Sequence, residues 1–331
     1  MSFPLALERV SRRLVGLAML AGVAAVCATP AAAWSDRPVR IFVPAPPGGT
    51  MDVMARVVAE QLTEQIQQPV IVDNRPGGGG AIGVNGLLGA APDGQTIMIT
   101  ASNVLVEIPL VLKMPFDPLK DLTPVSAIAR ASVVMIANAG VPANSLVEII
   151  AHAKSNQGKL AYASYSAGTA SHYAGLMLNQ TAGLDLMHVP YKGSPPALAD
   201  VMSGQVPLMF DGMVTSLPLI RSGKVKAFAV ASRARSPLLP NVPTFAELGY
   251  PDLDFSNWVG VVVGAKMAPE LVARINTEVT RAAAAPKVRE RLGNLGFELS
   301  TPSTPAQLAA SVRADHERNA GIVKRFAITF E

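Results

Sequence analysis

The chain has 331 residues, half of them hydrophobic and only 5% aromatic, with a formal net charge of +4. Its lysines and arginines are scattered and its rings few, which excludes a nucleic-acid binder built on a basic stripe with stacking aromatics. The length suits two packed domains. The single cysteine, Cys27, falls in the N-terminal segment, so the remainder has no disulfide, thiol nucleophile or thiolate metal site.

Residues 1–33 read as a signal peptide. Arg9, Arg12 and Arg13 make a basic start, residues 14–27 an apolar run too short to span a bilayer, and Ala31, Ala32 and Ala33 a cleavage site before Trp34. Ser11-Arg12-Arg13 resembles a twin-arginine signal, but Val15 and Gly16 stand where that signal has bulkier apolar residues. Both the Sec and the twin-arginine routes fit, and both lead to the periplasm.

From there the pattern alternates strand and helix. Residues 39–43 form a short apolar strand, followed by a turn at 46–50. Met51, Met54, Ala55, Val58 and Leu62 then fall on one helical face. Strands follow at 70–74 and, after the turn Pro92-Asp93-Gly94, at 96–100. Ser145 and Glu148 have the spacing of a capping box that opens a helix to about Ser155. A strand at 160–164 and a helix at 171–180, stopped by Gly183, come next. Ser194 suits an N-cap, Pro195 the first helical position and Gly204 the stop. Strands at 206–210, 227–231 and 258–264 precede a helix opened by Pro269 and a last one from about 305 to 324. This alternation predicts a parallel sheet with helices on its faces.

Six turns stand where a strand should hand over to a helix. They are Pro46-Pro47-Gly48-Gly49-Thr50, Pro76-Gly77-Gly78-Gly79-Gly80, Ala101-Ser102-Asn103, Ser166-Ala167-Gly168-Thr169, Lys192-Gly193-Ser194-Pro195 and Asp211-Gly212-Met213. N–H groups of a first helical turn lack intrahelical partners, and the helix dipole adds positive charge there, so such turns can build an anion-binding cleft. Each turn also has a purely structural reading as a tight connection with a cap. Asp52 and Arg56 have the spacing of a structural ion pair. Gly78, Gly80 and Gly83 match the spacing of a dinucleotide fingerprint, yet the following strand ends in Ala101-Ser102-Asn103 with no acid to hold a ribose. No nucleotide or other cofactor is therefore expected. His152, His172, His188 and His316 follow no metal-ligand spacing, and no nucleophile has an evident base, so neither a metal nor a catalytic role is expected. Lys192, the only cation inside these turns, pairs with either a ligand carboxylate or a structural acid such as Asp200 or Asp211.

Several of these stretches together resemble one family. They are Arg37-Pro38-Val39-Arg40-Ile41, Val43-Pro44-Ala45-Pro46-Pro47-Gly48-Gly49-Thr50-Met51-Asp52, Asp73-Asn74-Arg75-Pro76-Gly77-Gly78-Gly79-Gly80 with Ile82-Gly83, and Pro92-Asp93-Gly94. His188-Val189-Pro190-Tyr191-Lys192-Gly193-Ser194, Gly204-Gln205-Val206 and Pro240-Asn241-Val242-Pro243-Thr244-Phe245 with Glu247 complete them. The sequence resembles the Bug (TctC-like) extracytoplasmic solute receptors of tripartite tricarboxylate transporters, from about Ser35 to the C-terminus.

The resemblance implies an α/β type II periplasmic-binding-protein fold: two α/β domains closing over a central ligand cleft. Domain 1 would hold residues 34–134 plus 256–331 and domain 2 residues 135–255. It implies a non-enzymatic receptor that captures a small carboxylate (a di- or tricarboxylate, amino acid or aromatic acid) for the membrane subunits of a transporter; a monomer is expected. A sensory adaptor for a sensor kinase is an alternative, and a secreted hydrolase or lyase a more distant one. The implied ligand-binding residues begin with Ala45, Pro47, Gly48, Gly49, Thr50 and Asp52 in the first loop. Ser166, Ala167, Gly168, Thr169, Ser171 and His172 open the middle helix, and Asp211 with its neighbour Met213 lies further on. The turns themselves add Ser102 and Asn103 after the third strand, and Lys192, as further candidates. Two positions depart from the family: Ala45 stands where many relatives have an aromatic residue, and Leu176 where they often have Glu.

Overall fold

A computed structural model describes residues 34–329; the signal-peptide assignment lies outside the described residues. Ten strands form one sheet in the order β2-β1-β3-β9-β4-β7-β5-β6, with β8 and β10 also pairing with β4. The first part of the chain contributes β1 (Val39–Val43), α1 (Thr50–Ile66), β2 (Val70–Asn74), α2 (Ala81–Leu88), β3 (Thr96–Ala101), the one-turn α3 (Asn103–Val106) and the short α4 (Pro118–Asp121). Then comes β4 (Leu122–Asn138), a 17-residue strand. The middle supplies α5 (Leu146–Ser155), β5 (Ala161–Ser164), α6 (Ala170–Ala182), β6 (Met187–Pro190), α7 (Ser194–Ser203), β7 (Leu208–Gly212), α8 (Met213–Arg221) and β8 (Val225–Ala231). The chain ends with β9 (Ser256–Gly264), α9 (Pro269–Ala284), α10 (Pro286–Asn294), the two-residue β10 (Glu298–Leu299) and α11 (Pro305–Arg325).

The sheet is mixed, not parallel as the alternation predicts. β1, β2 and β3 pair in parallel, as do β5, β6 and β7, but β4 runs antiparallel to β7, β8 and β9, and β9 antiparallel to β3. The cause is β4, which the sequence reading left out. Pro124, Arg130 and Ser132 break its hydropathy, yet up to Ser132 it pairs with β9 and from Val133 onward with β7 and β8. One continuous strand thus serves two sheet regions. Arg130 is accommodated because its guanidinium donates to the Ser256 carbonyl at 2.7 Å.

Apolar clusters cover the sheet. Phe42, Met98, Leu105, Trp258 and Val262 pack together in the first region. In the second, strand alternation sends Tyr162 and Phe210 to one cluster and their neighbours Ala163 and Met209 to another on the opposite face. Phe326 and Ile328, just past α11, join the Tyr162 cluster, and Gln180 donates to the Phe326 carbonyl at 2.7 Å. The final turn of the chain is therefore anchored on the middle region.

Helix ends follow local chemistry with two adjustments. Ser145 caps α5 by accepting from the Glu148 N–H, but Glu148 reaches the Asn144 N–H rather than closing a reciprocal box. Gly193, not Ser194, is the N-cap of α7; Ser194 opens the helix and its hydroxyl turns instead to Asp211. Gly183 and Gly204 end α6 and α7 in the left-handed conformation that glycine adopts without strain.

Candidate functional site

A cavity of about 140 Å³ opens beyond the C-terminal ends of parallel strands β1 and β3 on one side and β5 and β7 on the other. Ligands of open α/β sheets bind at such strand ends, where loops and helix starts converge. Of the candidate residues, Ala45, Gly49, Thr50, Asn103, Ser166, Thr169 and Lys192 line the cavity. Pro47, Gly48, Asp52, Ser102, Ala167, Gly168, Ser171, His172, Asp211 and Met213 lie around it without lining it.

The first loop is braced from within. Buried Asp52 accepts from the Gly48 N–H at 2.8 Å, Arg56 Nε at 2.9 Å and Asn74 Nδ2 at 2.9 Å. Burial pushes its pKa up, but these bonds prevail and hold it below the ordinary carboxylate range. Asn74 also donates to the Ala45 carbonyl at 3.0 Å, and the Gly49 N–H is turned back to the Pro46 carbonyl at 3.2 Å. The glycine N–H groups are thus spent inside the loop. Among the described residues, the N–H groups of Thr50, Met51 and Asp52, the first three of α1, have no protein acceptor, and Thr50 and Met51 line the cavity. The donors facing the site are therefore the first residues of the helix, just after the glycines.

The second loop is closed by the protein itself. Glu107, buried to 2% exposure, accepts from the Ala170 N–H at 2.6 Å and so occupies the start of α6 with an internal carboxylate. Burial raises its pKa to about 7 against the pull of Ala170, Asn257 and Arg318. The Gly168 N–H goes to His172 Nδ1 at 3.2 Å and the Tyr165 N–H to Ser171 Oγ at 3.3 Å; Ser171 in turn donates to the Phe210 carbonyl. His172 stacks on His188 at a centroid distance of 4.0 Å. Burial pushes the two rings down to about 4 and about 3, so both are neutral packing and hydrogen-bonding groups at pH 7. Only Ser166 and Thr169 of this loop reach the cavity, and the Thr169 hydroxyl is committed to the Ser166 carbonyl at 2.7 Å.

The remaining candidates divide the same way. Asp211 is buried beneath the cavity, where three hydroxyls donate to it: Ser194 at 2.5 Å, Thr215 at 2.6 Å and Ser216 at 2.7 Å. Burial raises its pKa. Asp200 accepts from the Tyr191 hydroxyl at 2.6 Å. Neither acid pairs with Lys192, which is exposed and, among the described residues, has no ion pair and is the only charged residue lining the cavity. Met213 is fully buried behind Gly212. Ser102 donates to Asn257 Oδ1 at 2.7 Å. Asn103 is 3% exposed and its side chain makes no hydrogen bond within the described protein.

Several lining residues are not among the sequence candidates: Ser132, Tyr165, Tyr191 and Asn257. The glycines 77–80, one of the six turns, do line the cavity. Four in a row have φ between +59° and +118° and let the backbone approach Ile108 and Val104. The signal for Glu107 was a lone acid within an apolar run, Val104-Leu105-Val106-Glu107-Ile108. Ser132 and Asn257 gave none, because they depend on the unpredicted pairing of β4 with β9.

The mouth is narrow where the two regions meet. Gly193, at φ +118°, sits so close to Pro46 that a Cβ there would fall 2.3 Å from Pro46 Cγ. A Cβ at Gly212 would fall 2.8 Å from Thr50 Oγ1. No helix among the described residues is long and apolar enough to cross a membrane.

Residues 54–328 match the family described as the tripartite tricarboxylate transporter family receptor. The fold is that of periplasmic binding protein BugD, at 32% identity and TM-score 0.85 over 90% of this chain and 100% of that one. It is also that of Rpa4515 from R. palustris with adipate, at 30% identity and TM-score 0.86 over 89% and 99%. MatC from Rhodopseudomonas palustris with bound malate matches at 31% identity and TM-score 0.82 over 87% and 99%. With its α/β periplasmic-binding-protein fold, the chain belongs to the Bug (TctC) family of tripartite tricarboxylate transporter receptors.

Proposed function

We propose that this receptor captures a small carboxylate-bearing organic anion in the periplasm and presents it to the membrane subunits of a tripartite transporter. The observation that supports this most is the start of α1, where Thr50 and Met51 bring unpaired N–H groups to the cavity. A carboxylate there accepts charge-assisted bonds and favours the positive end of the 17-residue helix α1. Lys192, without an acidic partner among the described residues, draws a second anionic group to the mouth. Structural relatives carrying adipate and malate agree with a small carboxylate as cargo. The contacts of Gly193 with Pro46 and of Gly212 with Thr50 describe a shut cleft, and hinged separation of domain 1 (34–134 plus 256–331) from domain 2 (135–255) would admit the ligand.

A thermal-shift screen tests this reading. Mono-, di- and tricarboxylates should include members that raise the melting temperature by mass action. Stabilisation by sugars or cationic solutes, with none by any carboxylate, would refute it.

A further inference from the structure

The polar groups of the cavity sort into those already satisfied and those left open. Ser194, Thr169 and Tyr191 donate their hydroxyls to Asp211, the Ser166 carbonyl and Asp200. Asn257 is held at both ends: its Oδ1 accepts from Ser102 and its side chain hydrogen-bonds Glu107. Apart from the α1 N–H groups, Thr50 and Lys192, two lining side chains remain without a protein partner among the described residues, Asn103 and Ser132. They are 3% and 4% exposed.

Their position follows from the sheet. Ser102, next to Asn103, takes its N–H to the Trp258 carbonyl and its hydroxyl to Asn257. Across β9, Ala131 pairs with Asn257 and Ser132 with Ser256. Asn103 and Ser132 therefore flank Asn257 on one wall, about two strand spacings, or roughly 10 Å, apart. A buried carboxamide with no partner is costly, and native proteins seldom tolerate one unless water or a ligand completes it. The Asn103 oxygen is one such atom.

The charge of the wall narrows what completes it. Among the described residues Lys192 is the only charged one lining the cavity, and Glu107, outside the lining, is hydrogen-bonded by Asn257. A second carboxylate on this wall would meet no cation, and an ammonium would meet no anion; either would be desolvated without a counter-charge. A hydroxyl, which both donates and accepts, fits a carboxamide and a serine.

Building on the proposed carboxylate site, we infer that Asn103 is a specificity-determining residue that hydrogen-bonds a hydroxyl substituent of the ligand. The cargo is then a hydroxy acid rather than an unsubstituted or amino-substituted acid. A site built to bond a hydroxyl rejects the analogue lacking it, because the site's own polar group is left unpaired.

The test is titration calorimetry on the mature protein with matched acids: succinate, malate and aspartate; tricarballylate and citrate; propionate and lactate; benzoate and 4-hydroxybenzoate. In at least one set the hydroxy acid should bind about tenfold or more tightly than its deoxy partner, and malate more tightly than aspartate. Asn103→Leu should erase that difference, weakening the hydroxy acid and strengthening the deoxy acid, while keeping the melting temperature of the unliganded protein. Asn103→Ser, which retains a hydroxyl, should keep part of it and covers the case in which the leucine variant fails to fold. Equal binding within every set that binds, or aspartate ahead of malate, would overturn the inference and leave the carboxylate reading intact. A panel in which no acid binds would overturn both.

Discussion

The starts of α1 and α6 border the same cavity and look alike in sequence: small residues, a glycine and a hydroxyl before an amphipathic helix. They differ in what meets their N–H groups. At α1, Asp52 and Pro46 take the N–H groups of the glycines before the helix, leaving those of Thr50 and Met51 open to the cavity. At α6, Glu107 accepts from Ala170 and His172 from Gly168, so an internal carboxylate stands where the dipole argument puts an external one. A helix start is an anion site only if the protein has not filled it first. The dipole argument alone cannot tell the two apart, because it counts donors and not their partners.

Proline separates them experimentally. Thr50 and Ala170 each hold the first position of a helix, after an extended residue with ψ 166° and 168°, so proline is compatible with both backbones. Thr50→Pro removes an open N–H and a hydroxyl. It should weaken carboxylate binding between about tenfold and a hundredfold by calorimetry, with little change in melting temperature. Ala170→Pro removes the donor to Glu107. It should instead cost about 1–3 kcal/mol of stability in denaturant titration, with affinity nearly kept. The reverse pattern would exchange the roles of the two helices.

Acid should open the filled start. His172 and His188 have folded pKa values near 4 and 3, below the ordinary value of 6.5. Their contribution to stability is full above about pH 6.5 and is lost as pH falls through the folded values. Denaturation midpoints should therefore fall steadily from pH 6.5 to 4, and His188→Phe should flatten that limb. An unchanged slope in the variant would show that the rings titrate normally.

Glu107 gives the opposite slope. Its folded pKa, about 7, lies above the ordinary 4.5, so its contribution is full below about pH 4.5 and is lost as pH rises through 7. Glu107→Gln should reduce the loss of stability between pH 6 and 8.5 by on the order of 1 kcal/mol. If the variant keeps the wild-type slope, the carboxyl is not paying for its burial as described.

Lys192→Met should have the smallest effect. The ammonium is exposed, so its removal should weaken a dicarboxylate only a few-fold, about 0.5 kcal/mol, and less at high salt. A monocarboxylate should be nearly unaffected; equal losses for both would place the lysine on the first carboxylate.

Much of the fold was legible because strands such as Val39–Val43 and Val70–Asn74 are apolar runs closed by turn residues, and Pro269–Ala284 has a strong helical periodicity. β4 was not, because its sequence alternates poorly and its partners are distant: β7 and β8 lie within the 117-residue interval between Asn138 and Ser256, and β9 beyond it. The first loop of the site was legible in its glycines and Thr50, though not which N–H groups stay open. That depends on Asp52 turning back to Gly48, a bond set by the helix it starts. The Asn103 wall depends on β9 lying beside β3 and β4, which only the folded sheet defines.

The most direct measurement is an amide NMR titration of the ¹⁵N-labelled mature protein with the acid that raises its melting temperature most. The Thr50 and Met51 N–H resonances should move downfield on saturation, with the Ala170 resonance, already bonded to Glu107, shifting little. A large downfield shift of Ala170 with Thr50 and Met51 unmoved would contradict the account.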